Sequence, residues 1–153
     1  PMAYTSESAR IQLLDELAAA VDQLAIALAS LGEAYEEVDE GTAVVLEQQL
    51  FRPVQGAYGR ARRTHAEFAR RHQLPARTFA PGSPGVHSAD PRVHLERAIA
   101  AIEQADHVVA EMQDSMLPVE VGDRELRDGL TETRELIASA PVHGRQLLRT
   151  IGR

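Results

Sequence analysis

Apolar residues recur every three to four positions along four long segments of this chain, and turn-forming residues separate those segments. This spacing places the apolar side chains on one face of an α-helix. In the first segment the row is Ile11, Leu14, Ala18, Val21, Ala25 and Leu28, flanked by Leu13, Leu17, Leu24 and Leu31. No segment alternates apolar and polar residues as a half-buried strand does. We therefore predict an all-α fold, an antiparallel four-helix bundle.

Capping residues and prolines define the predicted helices. Polar residues suited to an N-cap stand at Ser6, Thr42, Asp90 and Asp123. The predicted helices span residues 6–38, 42–73, 91–117 and 123–151 of one domain, residues 2–153. Pro53 and Pro141 lie inside the second and fourth helices, where proline removes a hydrogen bond and clashes with the preceding turn. Both helices are therefore predicted to be kinked.

A Pro/Gly-rich loop is predicted between the second and third helices, at residues 74–89. A loop of this length is uncommon in a compact domain and is often functional or mobile. It permits either an up-down-up-down order or a crossover along the bundle, and the sequence does not decide between them.

Composition narrows the class of protein. The chain has 153 residues, which suits one domain with a sizeable core. It contains no Cys, no Trp and six aromatic residues, so the core must consist of Leu, Ala, Val and Ile. All 16 basic residues are Arg and Asn is absent, which indicates a bacterial genome of high GC content and no particular function.

Charge is distributed in blocks along this acidic chain, whose net charge is −7. Residues 1–50 hold ten acids and one Arg, whereas residues 51–80 hold seven Arg and one Glu. We interpret these blocks as mutually pairing helices, and no aromatic residue interleaves the arginines as a nucleic-acid site would favour. The most apolar stretch, from Leu17 to Leu31, is interrupted by Asp22 and lacks a basic leader. We expect a cytoplasmic protein without nucleic-acid or membrane partners.

Histidines form one group of candidate site residues. His65 and His72 lie one heptad apart on the apolar stripe of the second helix, and His94 lies near the start of the third. Asp15 is expected at the level of His65. This end of the bundle could hold a metal or a small molecule, or His65 could be a core residue hydrogen-bonded to Asp15, Glu16 or a backbone carbonyl. No Glu-x-x-His pattern of di-iron bundles occurs, and we assign neither a metal site nor a cofactor.

The Pro53 kink is a second candidate site. Gly56 and Gly59 follow the proline and reduce side-chain filling, while Met112 of the third helix is expected nearby. Tyr58 would supply a hydroxyl to an apolar pocket between splayed helices. Ordinary packing around a kink is the alternative.

These observations favour binding over catalysis. The sequence has no phosphate loop, no nucleophile elbow and no Cys nucleophile, so no catalytic residues are assigned. We predict a non-enzymatic interaction module that binds a protein partner or itself. The alternative is a small-molecule or metal-binding bundle that uses the histidine-bearing end or the pocket at Pro53.

Overall fold

The structure is a computed structural model, and it describes residues 2–85 and 87–151. Within these residues the chain forms helices and no strand, which confirms the all-α prediction. Val86 of the predicted loop, and the last two residues of the predicted domain, lie outside this part. The helices are α1 (Met2–Glu36), α2 (Glu40–Leu46), α3 (Arg52–Arg71), α4 (Pro91–Asp114), α5 (Leu117–Glu120), α6 (Arg124–Ile137) and α7 (Ala140–Ile151).

Helix α1 buries a wider surface than the predicted row. It begins at Met2, before the predicted cap at Ser6. Leu13, Leu17 and Leu24 beside the row are fully buried, whereas Ile11 within the row is 38% exposed. The reason is that α1 packs against α3 on one side and α4 on the other. A helix with two partners buries two faces, so a single stripe does not describe it.

The apolar character of α1 also meets a criterion for membrane spans. By length and composition, Ser6–Glu36 could cross a membrane, but 56% of its most apolar window is buried within the protein. A core helix and a signal sequence both meet the same criterion, so this is weak evidence for a span.

Helices α1 and α4, which pack together, both carry buried small residues at heptad spacing. On α1, Ala20, Ala27 and Ala34 recur every seven residues and are fully buried, and on α4 the buried Ala98 and Ala105 have the same spacing. The distance between helix axes depends on the side chains at the contact. These alanines therefore allow α1 and α4 to approach closely along most of their length.

The predicted second helix is divided before Pro53. Helix α2 is capped by Asp39, which accepts a hydrogen bond from the backbone N of Thr42 at 2.8 Å, so the predicted cap at Thr42 was wrong. A π-helical segment, Glu47–Phe51, then leads into α3, whose first turn holds Pro53. Since proline cannot donate a helical hydrogen bond, the wider π turn absorbs the break in the pattern.

The remaining helix starts agree with their capping residues. Asp90 accepts a hydrogen bond from the backbone N of Arg92, and Asp123 accepts one from that of Leu126, which confirms both predicted caps. The predicted fourth helix is divided: α6 ends at Ile137 and α7 starts at Ala140, so Pro141 lies in the first turn of α7. A proline there costs no helical hydrogen bond.

Polar contacts fix the relative directions of α3 and α6. Arg60, in the first half of α3, pairs with Glu132 in the second half of α6. Arg71, the last residue of α3, pairs with Asp123 immediately before α6. The two helices are therefore antiparallel.

Helix α4 runs antiparallel to both of its long neighbours. Arg92 at its start donates to the backbone O of Leu148 near the end of α7. Arg10 in the first part of α1 donates to the backbone O of Val121, in the segment that follows α4. Helix α4 consequently begins at the opposite end of the molecule from the end of α3.

The segment between α3 and α4, which we call the strap (residues 74–90), connects these two ends. Its described residues form no helix. Arg77 of the strap pairs with Asp22 of α1, and Gly82 lies against the backbone of Ala25 one turn further along. Of the two topologies that the sequence left open, the structure has the crossover, with the strap lying over α1.

Candidate functional site

His65 is a buried core residue beneath the strap. It is 3% exposed, and the ring of Phe79 meets its ring edge-on with centroids 5.1 Å apart. Burial, followed by the charge of Arg77, lowers the pKa of His65, while a hydrogen bond to the backbone of Leu14 and the charge of Asp15 oppose that shift. Its Nδ1 has no hydrogen-bond partner among the described residues. Asp15 is exposed on α1 and acts on His65 through its charge alone.

His72 belongs to a clamp between α3 and α6. Its Nε2 lies 3.0 Å from Asp123 Oδ2, and Arg71 donates two hydrogen bonds to the same carboxylate, at 2.7 and 2.8 Å. Burial would raise the pKa of Asp123, but the hydrogen bonds from Arg71, the backbone N of Leu126 and His72 lower it to about 2. This carboxylate stays ionised and holds the two helix ends together, which is a structural role.

His94 lies at the other end of the molecule. It is fully buried one turn into α4, and its Nε2 lies 2.8 Å from the backbone O of Ser88 in the strap. The 24 residues of α4 extend ~36 Å at 1.5 Å per residue. His72 lies near the level at which α4 ends, so about 30 Å of helix separates it from His94.

The structure therefore does not bring the three predicted histidines together. Among the described residues, no group of three or more His, Asp and Glu side chains has an arrangement that could hold a metal ion. Each of the three imidazoles instead contacts a nearby element: the strap for His65 and His94, and α6 for His72.

Tyr58, the other predicted residue, lines a cavity of about 410 Å³ between α1 and α3. Pro53 itself does not line the cavity, and neither does Met112, which is buried elsewhere in the core. The strap closes one end of it. Its lining residues are Ala25, Leu28, Ala29, Tyr58, Pro81 and Gly82.

A second cavity, of about 240 Å³, lies between α1 and the π-helical segment that leads into α3. Gly32 of α1 lies three residues after Ala29, so one helical turn separates the two linings. The residues of the second cavity are Gly32, Tyr35, Glu36, Glu47 and Phe51. We call the two cavities together the α1–α3 groove.

Small residues form the floor of the α1–α3 groove, and aromatic rings form its walls. Ala25, Ala29 and Gly32 share one face of α1, since they are spaced by four and three residues. Phe51 and Tyr58 stand on the opposite side. Leu28 and Tyr35 of α1 complete the lining, and the space between these side chains is apolar and partly unfilled.

The open end of the groove is acidic. No Arg occurs between residues 11 and 51. Six carboxylates lie within residues 33–47, namely Glu33, Glu36, Glu37, Asp39, Glu40 and Glu47. Two of them, Glu36 and Glu47, line the groove itself. The groove thus combines an apolar floor with a negatively charged rim.

A larger cleft, of about 640 Å³, lies between α4 and the junction of α6 with α7. Several of its polar residues bond to one another: Arg134 donates to Asp106 at 2.9 Å and to Gln113 at 2.9 Å. Ligand sites are mostly apolar with a few polar groups. The smaller α1–α3 groove fits that description better than this self-paired polar cleft.

The sequence contains a pattern that indicates the groove, but our prediction considered the histidines instead. Ala29, Gly32 and Phe51 were not among the predicted site residues. Small residues at helical spacing on α1, opposite aromatic residues of the next helix, are the pattern that would have identified it. Comparison with known proteins adds no assignment: no family model, no curated protein and no solved structure matches this chain.

Proposed function

We propose that this chain is a four-helix bundle, formed by α1, α2–α3, α4 and α6–α7, that serves as a non-enzymatic binding module. Its binding surface is the α1–α3 groove. The observation that carries the proposal is an apolar furrow, walled by Phe51 and Tyr58, that continues beyond the strap without a side chain to fill it. The three predicted histidines have structural contacts and are assigned no part in binding.

Two matched glycines test this proposal. A Cβ atom added at Gly32 or at Gly59 would meet nothing within 4 Å, so both positions accept a larger side chain. Gly32 lines the groove, whereas Gly59 lies on the exposed side of α3. Gly32→Leu fills the groove, and Gly59→Leu is the control for the change in helix propensity.

The measurement is the fluorescence of Nile red, a neutral apolar dye, titrated with each protein. We expect saturable binding by the parent and by Gly59→Leu, and at least a ~10-fold weaker affinity for Gly32→Leu, equivalent to 1.4 kcal/mol. Absence of saturable binding by the parent, or equal affinities of the two variants, would show that the groove is not a binding surface.

A small molecule is the second candidate ligand, because the 410 Å³ cavity lies within the size range of ligand pockets. Native mass spectrometry of the purified protein separates this function from the first. A defined mass adduct that Gly32→Leu abolishes would favour small-molecule binding.

A further inference from the structure

The covered half of the α1–α3 groove already holds an extended peptide, the strap. Arg77 Nη2 lies 2.9 and 3.1 Å from the two carboxylate oxygens of Asp22. The Arg77 guanidinium also lies 4.8 Å from the centre of the Phe79 ring, which meets His65 edge-on. The strap is therefore held by the ion pair between Arg77 and Asp22 of α1 and by the contact between the rings of Phe79 and His65 of α3.

Close backbone contact completes this seating. A Cβ atom at Gly82 would collide with the backbone C and O of Ala25, so only glycine permits the approach. Pro81 precedes it and lines the same cavity as Tyr58. The seated sequence, residues 77–82, is Arg-Thr-Phe-Ala-Pro-Gly.

Beyond Gly82 the strap leaves the groove. Gly85 has a φ of 84°, a left-handed conformation that favours glycine. It also lies close to Arg97 of α4, since an added Cβ atom would be 2.6 Å from the central carbon of the Arg97 guanidinium. The chain thus turns away over α1 towards α4. Past this turn the second cavity of the groove, lined by Gly32 and Phe51, is not covered by the strap.

The open half offers the same three kinds of contact as the covered half. Its floor is again a small residue of α1, here Gly32. Its wall again carries rings, here Tyr35 and Phe51, and its rim again carries carboxylates, here Glu36 and Glu47. The acidic rim favours a cationic ligand electrostatically.

We propose that the open half of the α1–α3 groove binds an extended, proline-containing segment of a partner protein that carries an arginine close to an aromatic residue, as the strap does. Such a segment would lie in line with the strap, with its arginine on the Glu36–Glu47 rim and its ring against Phe51, because the Arg62 guanidinium already lies 5.2 Å from the centre of the Tyr58 ring. Proline holds it extended and reduces the conformational entropy lost on binding. This inference rests on the proposed binding function and names the partner's chemistry.

The test uses the full chain and a fluorescein-labelled peptide with the sequence of residues 76–83, followed by fluorescence anisotropy. We expect saturable binding to the parent and to Gly59→Leu, and at least a ~10-fold loss for Gly32→Leu. Because Gly32 lies in the open half, this loss separates binding there from displacement of the strap.

Peptides that lack the arginine or the phenylalanine test whether the partner needs a positive charge and an aromatic ring. Peptides in which glutamate replaces arginine, or alanine replaces phenylalanine, should each bind at least ~10-fold more weakly. Glu36→Gln in the protein should weaken binding of the parent peptide and reduce its dependence on salt. Equal affinity for the arginine and glutamate peptides would overturn the proposed cationic partner.

Failure of this inference differs from failure of the proposed function. If Nile red binds in a Gly32-dependent manner but the peptide does not bind, the groove takes an apolar ligand of another kind. If sedimentation shows a dimer that Gly32→Leu disrupts, the occupant is a second copy of the chain and the partner peptide is wrong. If neither probe binds, both proposals fail.

Discussion

His65 contributes an apolar ring to the core at the cost of one unpartnered nitrogen. Its ring packs edge-on against Phe79, but its Nδ1 has no partner among the described residues. A buried polar group without a hydrogen bond destabilises the fold, and replacing it by an apolar group of similar shape can be neutral or stabilising. The charge of Asp15 does not remove this cost, because that side chain stays exposed.

We expect His65→Phe to be tolerated at pH 7 and to flatten the pH dependence of stability in mildly acidic solution. Burial lowers the pKa of His65 in the folded chain below the ordinary histidine value of 6.5, so below that pH the unfolded chain binds a proton that the folded chain does not. Stability therefore falls as pH falls from about 6.5 towards the folded pKa, and His65→Phe removes that loss.

Thermal melts of the parent and His65→Phe between pH 7.5 and pH 5 measure this effect. His107→Phe is the control, because His107 is exposed and pairs only with Glu111 on its own helix. If His65→Phe lost as much stability on acidification as the parent does, burial of a neutral His65 would not be the cause.

At the scale of helices, glycines divide into those that permit close packing and those that do not. A Cβ atom at Gly129 of α6 would collide with Thr64 of α3, and one at Gly144 of α7 would lie 2.7 Å from Ile99 of α4. At Gly32 and Gly59 the same atom would meet nothing within 4 Å. The first pair sets how closely helices approach, and the second pair only lowers helix propensity.

Alanine substitutions should therefore change stability in opposite directions at these positions. Gly32→Ala and Gly59→Ala should each stabilise the fold by about 0.5–1 kcal/mol, the usual difference in helix propensity. Gly129→Ala and Gly144→Ala should destabilise it, typically by about 1–3 kcal/mol, because the added methyl overpacks a helix contact. Urea denaturation of the four variants tests this, and stabilisation by all four would show that the helices are free to separate.

The sequence predicted two of the four helix caps correctly, and it predicted the helix interruptions less well. Asp90 and Asp123 were identified as caps because a carboxylate that accepts a backbone hydrogen bond is a local feature. The π-helical segment before Pro53 and the short α5 were not predicted. Whether a proline bends a helix, divides it or starts a new one depends on its neighbours in space, which periodicity does not report.

The candidate site was predicted only in part, for a related reason. Periodicity identified the face on which His65 and Tyr58 lie, but which helix ends meet depends on topology. Reading the second and third helices as direct neighbours placed His72 and His94 together, whereas the crossover places them at opposite ends. Tyr58 was predicted because Pro53 and two glycines suggested poor filling, whereas the small residues that line the cavity beside it are Ala25 and Ala29 of α1 and Gly82 of the strap.

At the scale of the whole molecule, the crossover means that the strap both connects α3 to α4 and forms part of the surface over α1. Its 17 residues, from Leu74 to Asp90, could reach ~55 Å if fully extended, whereas the distance to be crossed, the length of α4, is ~36 Å. The strap is thus long enough to reach the far end without strain. It is held by a few contacts, of which the pair between Arg77 and Asp22 is half exposed.

We expect trypsin to cleave this protein first at Arg77, the only arginine of the strap, because the other sites among the described residues lie in helices or their ends. Asp22→Asn should accelerate the cleavage by releasing Arg77, whereas Asp128→Asn, which removes a surface pair within α6, should not. The fragments 1–77 and 78–153 should remain associated, because α1 packs on α4 and α3 on α6 across the cut. Size-exclusion chromatography of the nicked protein, with mass spectrometry of the fragments, measures both effects. First cleavage within α1 or α4, or separation of the fragments, would contradict the crossover arrangement of the helices.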